Sequence, residues 1–172
     1  QILALGDELV EMACAETGLP AMRIQGERGR TLGQLGLFAD LLEQGEYLGV
    51  VDLADSNRQP LPKPDTRLGY LPLGVVGVFA ASNFPLAFST AGGDTASALA
   101  AGCPVVMKAH AAHPGTAELV AQAISRAIEL CGIDTGVFSL IQGKNYAIAS
   151  QIVTHPQVKA VGFTGSERVG MI

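Results

Sequence analysis

The sequence predicts an α/β chain whose centre is a Rossmann-like, doubly wound parallel sheet with helices on both faces. Three observations predict it. Residues 74–81, 104–108, 137–141 and 158–163 are short apolar runs, the length and texture of strands buried on both faces. Helix-sized segments, residues 90–101, 116–130 and 146–154, lie between them. The turns that join them are short and carry glycine or proline, so the order β-α-β-α-β-α-β requires parallel strands with crossover helices. In such a sheet ligands bind at the carboxyl ends of the strands.

The elements follow in order. Residues 2–17 read as a helix with Leu5, Leu9, Met12 and Ala13 on one face, stopped by Gly18 and Pro20. A second helix over residues 22–44 carries the stripe Leu32, Leu35, Phe38, Leu41 and Leu42, and Gly45 closes it. Residues 47–53 and 67–73 read as strands of a long hairpin, joined by a loop holding Pro60, Pro62 and Pro64. From Gly74 the regular alternation begins. Residues 116–130 give the clearest helix, with Leu119, Val120, Ala123, Ile124, Ala127 and Ile128 on one side, Thr116 as its N-cap and Gly132 after its end. The chain thus divides into N-terminal helices (residues 1–46), a hairpin (47–73) and a βα core (74–172).

Composition narrows the functional classes. The 172 residues are 48% hydrophobic, ample for a core and too apolar for a disordered chain. Eleven basic against sixteen acidic residues leave a net charge of −5, with no basic cluster, which argues against a nucleic-acid surface. No apolar run reaches about 18 residues without a polar break, so no membrane span is expected. Cys14, Cys103 and Cys131 are widely spaced with no CxxC pair, which fits a reducing, cytoplasmic setting rather than a disulfide framework. His110 and His113 lie three apart, but no Cys, Asp or Glu completes a ligand set, and no metal site is expected. The chain begins inside a helical pattern and stops at Gly170-Met171-Ile172 as another helix starts, so it reads as a piece of a longer protein.

The chemistry-bearing residues follow strands. After the first core strand, Pro85 keeps Phe84 out of helical geometry, and the extended turn presents Ala81, Ser82 and Asn83. An Asn amide there either donates to a developing oxyanion or caps its own backbone. After the second strand, Lys108 either contacts ribose hydroxyls or a phosphate or snorkels from a buried strand, and His110 and Ala111 follow it. After the fourth, Phe163-Thr164-Gly165-Ser166 leads into a helix start. That is either a phosphate-cradling turn or an ordinary βα turn, for it is neither G-x-G-x-x-G nor a Walker A loop.

Taken together these motifs are distinctive. Pro72-Leu73-Gly74-Val75-Val76, Ser82-Asn83-Phe84-Pro85-Leu86, the segment 100–108 and Gly162-Phe163-Thr164-Gly165-Ser166 resemble, in order and spacing, the aldehyde dehydrogenase superfamily. Segment 82–95, with Lys108-Ala109-His110 and His113-Pro114-Gly115-Thr116, is most similar to one branch. That branch comprises the α-ketoglutaric semialdehyde (2,5-dioxovalerate) dehydrogenases and the related bacterial NADP-preferring fatty aldehyde dehydrogenases.

The resemblance implies an enzyme in which a cysteine thiolate attacks an aldehyde, an asparagine amide holds the oxyanion, a hydride passes to NAD(P), and a glutamate-activated water releases the acid. Asn83 matches that asparagine, and Lys108 matches the lysine at the adenosine ribose or its phosphate. Ala81, Ser82, His110, Ala111, Phe163, Thr164, Gly165, Ser166 and Val169 are implied at the cofactor. Glu167 departs from the Thr of many members and brings an acid close to the phosphates. NAD-preferring members carry an acid three residues after the lysine. Ala111 stands there instead, which implies NADP as cofactor, with NAD possible. Cys103, at the start of a buried strand, is expected to be a packed apolar residue. The family's catalytic cysteine and glutamate motifs lie beyond Ile172, so this stretch supplies the N-terminal, cofactor-binding part. The resemblance also implies a homo-oligomer, dimer or tetramer, with the hairpin in the oligomerisation region. It implies a small aldehyde as substrate, α-ketoglutaric semialdehyde or a fatty or other aldehyde. A non-catalytic nucleotide-binding domain is the alternative from another class.

Overall fold

A computed structural model of the chain describes residues 1–45, 47 and 49–171. The expected boundary at residue 46, the hairpin position Leu48 and the last residue, Ile172, lie outside the described residues. The four apolar runs form one sheet of parallel strands, in the order 138–141, 105–108, 75–79 and 158–163. The strands are β3 (Val75–Phe79), β4 (Val105–Lys108), β5 (Phe138–Ile141) and β6 (Val158–Phe163). Before them, β1 (Gly49–Asp52) and β2 (Thr66–Gly69) pair antiparallel as a separate two-stranded ribbon, and every residue of both is exposed. The expected hairpin exists, but its strands are shorter than the apolar pattern, because no described residue covers either face to sustain the pairing.

Helices cover the sheet. They are α1 (Gly6–Thr17), α2 (Ala21–Gln44), α3 (Gly93–Ala100), α4 (Pro114–Cys131), α5 (Tyr146–Thr154) and α6 (Glu167–Gly170). One core joins Val76, Val78, Val105, Met107 and Phe138 of the sheet to Ala98, Ala121 and Ile128 of the helices. A second packs Leu9, Val10 and Ala13 of α1 and Ile24 of α2 on Val120 and Ala123 of α4. The apolar periodicity of α4 is thus shared between two cores. On the other face α5 approaches so closely that a Cβ on Gly77 would lie 2.7 Å from the Ile152 side chain, which is why that strand position is bare.

Three expectations are corrected. The first helix opens with a 3-10 turn at Leu3–Leu5 and becomes regular only from Gly6. Helix α2 uses only part of its expected stripe: Leu32 and Leu35 pack partly buried on the second core and Phe38 is half-buried, but Leu41 and Leu42 are exposed, and the fully buried residues are Ile24, Glu27 and Thr31. Thr116 is not the N-cap of α4. His113 holds that position with Pro114 following. The Glu16 carboxylate, arriving from α1, accepts from Gly115 N (2.7 Å), Thr116 N (2.8 Å) and Thr116 Oγ1 (2.7 Å). An acid at the positive end of an 18-residue helix suits its dipole as well as its unpaired N–H groups.

Candidate functional site at the carboxyl edge of the sheet

Register fixes what stands at this edge. Phe79, the last residue of β3, is flanked by Lys108 at the end of β4 and by Phe163 at the end of β6. Phe79 and Phe163 meet edge to face with centroids 6.4 Å apart. Three loops therefore leave the sheet side by side, and two of them enclose an open cleft of about 440 Å³. Ala81, Ser82, Asn83, Phe84 and Phe88 line one wall, and Thr164, Gly165 and Ser166 the other.

The loop after β3 does not run straight into its helix. It turns on itself over 81–92, with Ala81 N donating to Phe88 O (2.8 Å) and Gly93 N to Ala87 O (3.2 Å). Pro85, Leu86 and Ala87 are buried, so the turn is anchored at its base while Ser82 and Asn83 stand exposed at its tip. The Asn83 side-chain amide makes no hydrogen bond to the described residues, so it does not cap its own backbone, and both its N–H donors are unpaired at the cleft wall.

Across the cleft, Thr164 Oγ1 donates to Asp94 Oδ2 (3.1 Å) in the first turn of α3, fixing the turn after β6. A Cβ on Gly165 would run into the Phe163 ring, so glycine is needed for the backbone to pass this close to the aromatic. Ser166 has extended geometry ahead of α6, which is a single turn.

Lys108 stands one strand over from the cleft. Its Nζ donates back to Ala109 O (2.6 Å), and partial burial lowers its pKa from the ordinary lysine value. His110 Nδ1 accepts from Ala112 N (3.1 Å), and burial, then His113, then Lys108 hold its pKa below the usual histidine value. Ala111 is exposed, and Val169 lies half-buried in α6, with its N–H on Ser166 O (3.1 Å). Lys108, His110, Ala111 and Val169 are therefore at the same sheet edge but outside the cleft walls. Cys103 is buried, its Sγ 3.9 Å from Ala101 O, and it precedes the amino end of β4, opposite to this edge.

The matched family model describes the aldehyde dehydrogenase family and spans residues 2–172. The chain belongs to the aldehyde dehydrogenase family. It is 59% identical over 172 residues to "Alpha-ketoglutaric semialdehyde dehydrogenase 2" of Azospirillum brasilense, covering 99% of this chain and 33% of that one. It is 55% identical to the α-ketoglutaric semialdehyde dehydrogenase of Acinetobacter baylyi, covering 99% and 32%. The chain thus spans about a third of the length of the curated relatives it matches. Among solved aldehyde dehydrogenase-like structures, succinate-semialdehyde dehydrogenase from Burkholderia pseudomallei superposes with a TM-score of 0.81 at 31% identity, covering 99% of this chain and 33% of that one. A glyceraldehyde-3-phosphate dehydrogenase from Methanocaldococcus jannaschii, complexed with NADP, gives 0.83 at 26% identity, covering 99% and 35%.

The donor set at this edge suits the nicotinamide dinucleotide used by such dehydrogenases. Ser82 and Ser166 offer hydroxyls beside exposed backbone, Phe84 and Phe88 give the cleft an apolar side, and Lys108, one strand over, offers a cation. Sequence reasoning missed Arg23 and Glu27 of α2, which reach the Asn83 loop from behind. Their signal was a charge on the buried side of an amphipathic helix, four residues before Thr31 and three after Ile24.

Proposed function

We propose that the longer protein to which this chain belongs oxidises α-ketoglutaric semialdehyde to α-ketoglutarate with a preference for NADP. The observation that carries the reading is Asn83, unbonded and exposed at the tip of a buried loop, in a chain 55–59% identical to two α-ketoglutaric semialdehyde dehydrogenases. The bound cofactor supplies the hydride acceptor. Everything else assigned to this chain is binding and polarisation. Asn83 Nδ2 donates to the aldehyde oxygen as it gains charge, and because the donor is already in place it costs no reorganisation at that moment. The 163–166 turn receives the pyrophosphate side of the cofactor, and Lys108, on releasing Ala109 O, turns to the adenosine ribose or its 2′-phosphate. Ala111 leaves space for that phosphate and brings no negative charge against it.

Cys103 is too buried to serve as the nucleophile, and Cys14 of α1 and Cys131 at the end of α4 take no part in the cleft walls, so the attacking thiolate and the base that activates water are assigned to other parts of the longer protein. The exposed β1–β2 ribbon, with Val50, Val51, Leu68 and Tyr70 uncovered, is assigned to contact between subunits of a homo-oligomer. The test is steady-state oxidation by the full-length enzyme of α-ketoglutaric semialdehyde and of decanal, each with NADP and with NAD. Higher kcat/KM for the semialdehyde with NADP is expected. Preference for decanal, for NAD, or no turnover overturns the corresponding part of the reading.

A further inference from the structure

Glu27 is the most buried charged residue of the described chain, at 4% exposure, on a helix that contributes nothing to the cleft walls. Its two oxygens are divided. Oε2 accepts the Leu86 N–H at 3.0 Å, and Oε1 pairs with Arg23 Nη2 at 3.4 Å one turn earlier. The same Arg23 nitrogen donates to the backbone carbonyl of Asn83 at 3.3 Å, and the guanidinium lies 4.7 Å from the centroid of the Phe84 ring. One acid–base pair therefore holds Asn83, Phe84 and Leu86, 59 to 61 residues away in sequence, and Glu27 is the one charged residue that α2 buries. Burying a carboxylate costs several kcal/mol unless it is well paired, and here one backbone N–H and one long ion pair offset that cost. A fold needing only bulk at this place would fill it with an apolar side chain.

We infer that Glu27, with Arg23, is a positioning residue for Asn83: it fixes the loop so that the Asn83 amide stands where the oxyanion forms. The inference rests on the role proposed above for Asn83. Oxyanion donors act through fixed geometry, and a displacement of about 1 Å costs on the order of 100-fold in rate. Glu27 touches neither substrate nor cofactor, so its loss lowers kcat and leaves binding unchanged.

The experiment uses the full-length enzyme with α-ketoglutaric semialdehyde and NADP. Glu27→Ala should lower kcat about 10-fold or more, a fraction of what a lost oxyanion donor costs, with KM for the aldehyde and Kd for NADP within about twofold. Glu27→Gln, which keeps an acceptor for Leu86 N–H, should recover most of the rate. In an Asn83→Ala background, Glu27→Ala should cost less than about twofold further, because the group it positions is gone. Without cofactor or substrate, hydrogen exchange at the Leu86 amide should accelerate in Glu27→Ala and return toward the parent rate in Glu27→Gln. Should Glu27→Ala not fold, Arg23→Met at the half-exposed partner carries the same cycle, with a loss of about threefold or more in the parent and none in the Asn83→Ala background. Equal losses in both backgrounds, or a folded Glu27→Ala enzyme with unchanged kcat, overturns the inference. An Asn83→Ala enzyme as fast as the parent overturns the role of Asn83, and the inference with it.

Discussion

Replacing Glu16 by alanine should undock α1 from the start of α4. The carboxylate accepts three hydrogen bonds at 2.7–2.8 Å, two from backbone N–H groups in the first helical turn and one from the Thr116 hydroxyl. Thr116 is fully buried, so its hydroxyl gains no water when the acceptor is removed. Gly115 N lies nearer the surface, beside a half-buried Glu16, and water replaces part of what it loses. A hydrogen bond to a charged group contributes about 1.5–3 kcal/mol, and an unsatisfied buried donor costs about 1–3 kcal/mol. Three bonds sharing one carboxylate are not additive, and about 1 kcal/mol each gives a loss of about 3 kcal/mol, the helix dipole included. That corresponds to about 150-fold in the opening equilibrium at about 1.4 kcal/mol per decade. Glu16→Gln keeps one acceptor and the side-chain volume, and should lose about half as much. Native-state hydrogen exchange of the Gly115 and Thr116 amides in the full-length protein reads the local term directly, and urea denaturation reads its global share. Exchange at those amides within twofold of the parent in Glu16→Ala would refute the cap.

Other outcomes follow from the edge of the sheet. Ala111→Glu places a carboxylate where the 2′-phosphate is proposed to lie and should shift the ratio of NADP to NAD dissociation constants by about tenfold or more toward NAD. Gly165→Ala must displace the Phe163 ring, and should weaken cofactor binding more than it lowers the melting temperature, as calorimetric titration and thermal unfolding would separate. His113→Leu removes the partner of Ala81 O, now 2.9 Å from His113 Nε2, and should destabilise the protein by about 1–3 kcal/mol in denaturant titration. The pKa of His110 is lowered in the fold, so the unfolded chain takes up its proton first. Stability should then fall as pH drops below 6.5 and level off once the folded site is protonated too, and His110→Gln should flatten that limb of a pH–stability curve.

The parallel sheet and its helices were legible in the sequence because each reports through its own period. Strands β3 and β4 are covered on both faces and read as unbroken apolar runs, while α4 repeats every three to four residues. The strand-end positions of Asn83, Lys108 and Thr164 followed from the topology, since a parallel sheet sends every such loop to one edge. What stayed illegible is what depends on partners far away in the chain. Thr116 looked like a cap because its type is right, and only the docking of α1 shows that Glu16 takes that task. Glu27 went unnoticed because its partner, Leu86 N–H, is a backbone group with no signature in sequence. The leucines at the end of α2 looked like core because periodicity shows that a face is apolar and does not show what covers it.

The Glu16 contact also bears on how the chain is made. It closes a loop of about a hundred residues, and the core it seals unites α1 and α2 with side chains of α4. As the protein leaves the ribosome, the first two helices emerge with Leu9, Val10, Ala13 and Ile24 lacking the α4 side of their core until Val120 and Ala123 have been synthesised. At about 5–20 residues per second that interval lasts on the order of ten seconds. During it part of an apolar face stays uncovered, and slowing translation between residues 45 and 131 should raise the yield lost to aggregation.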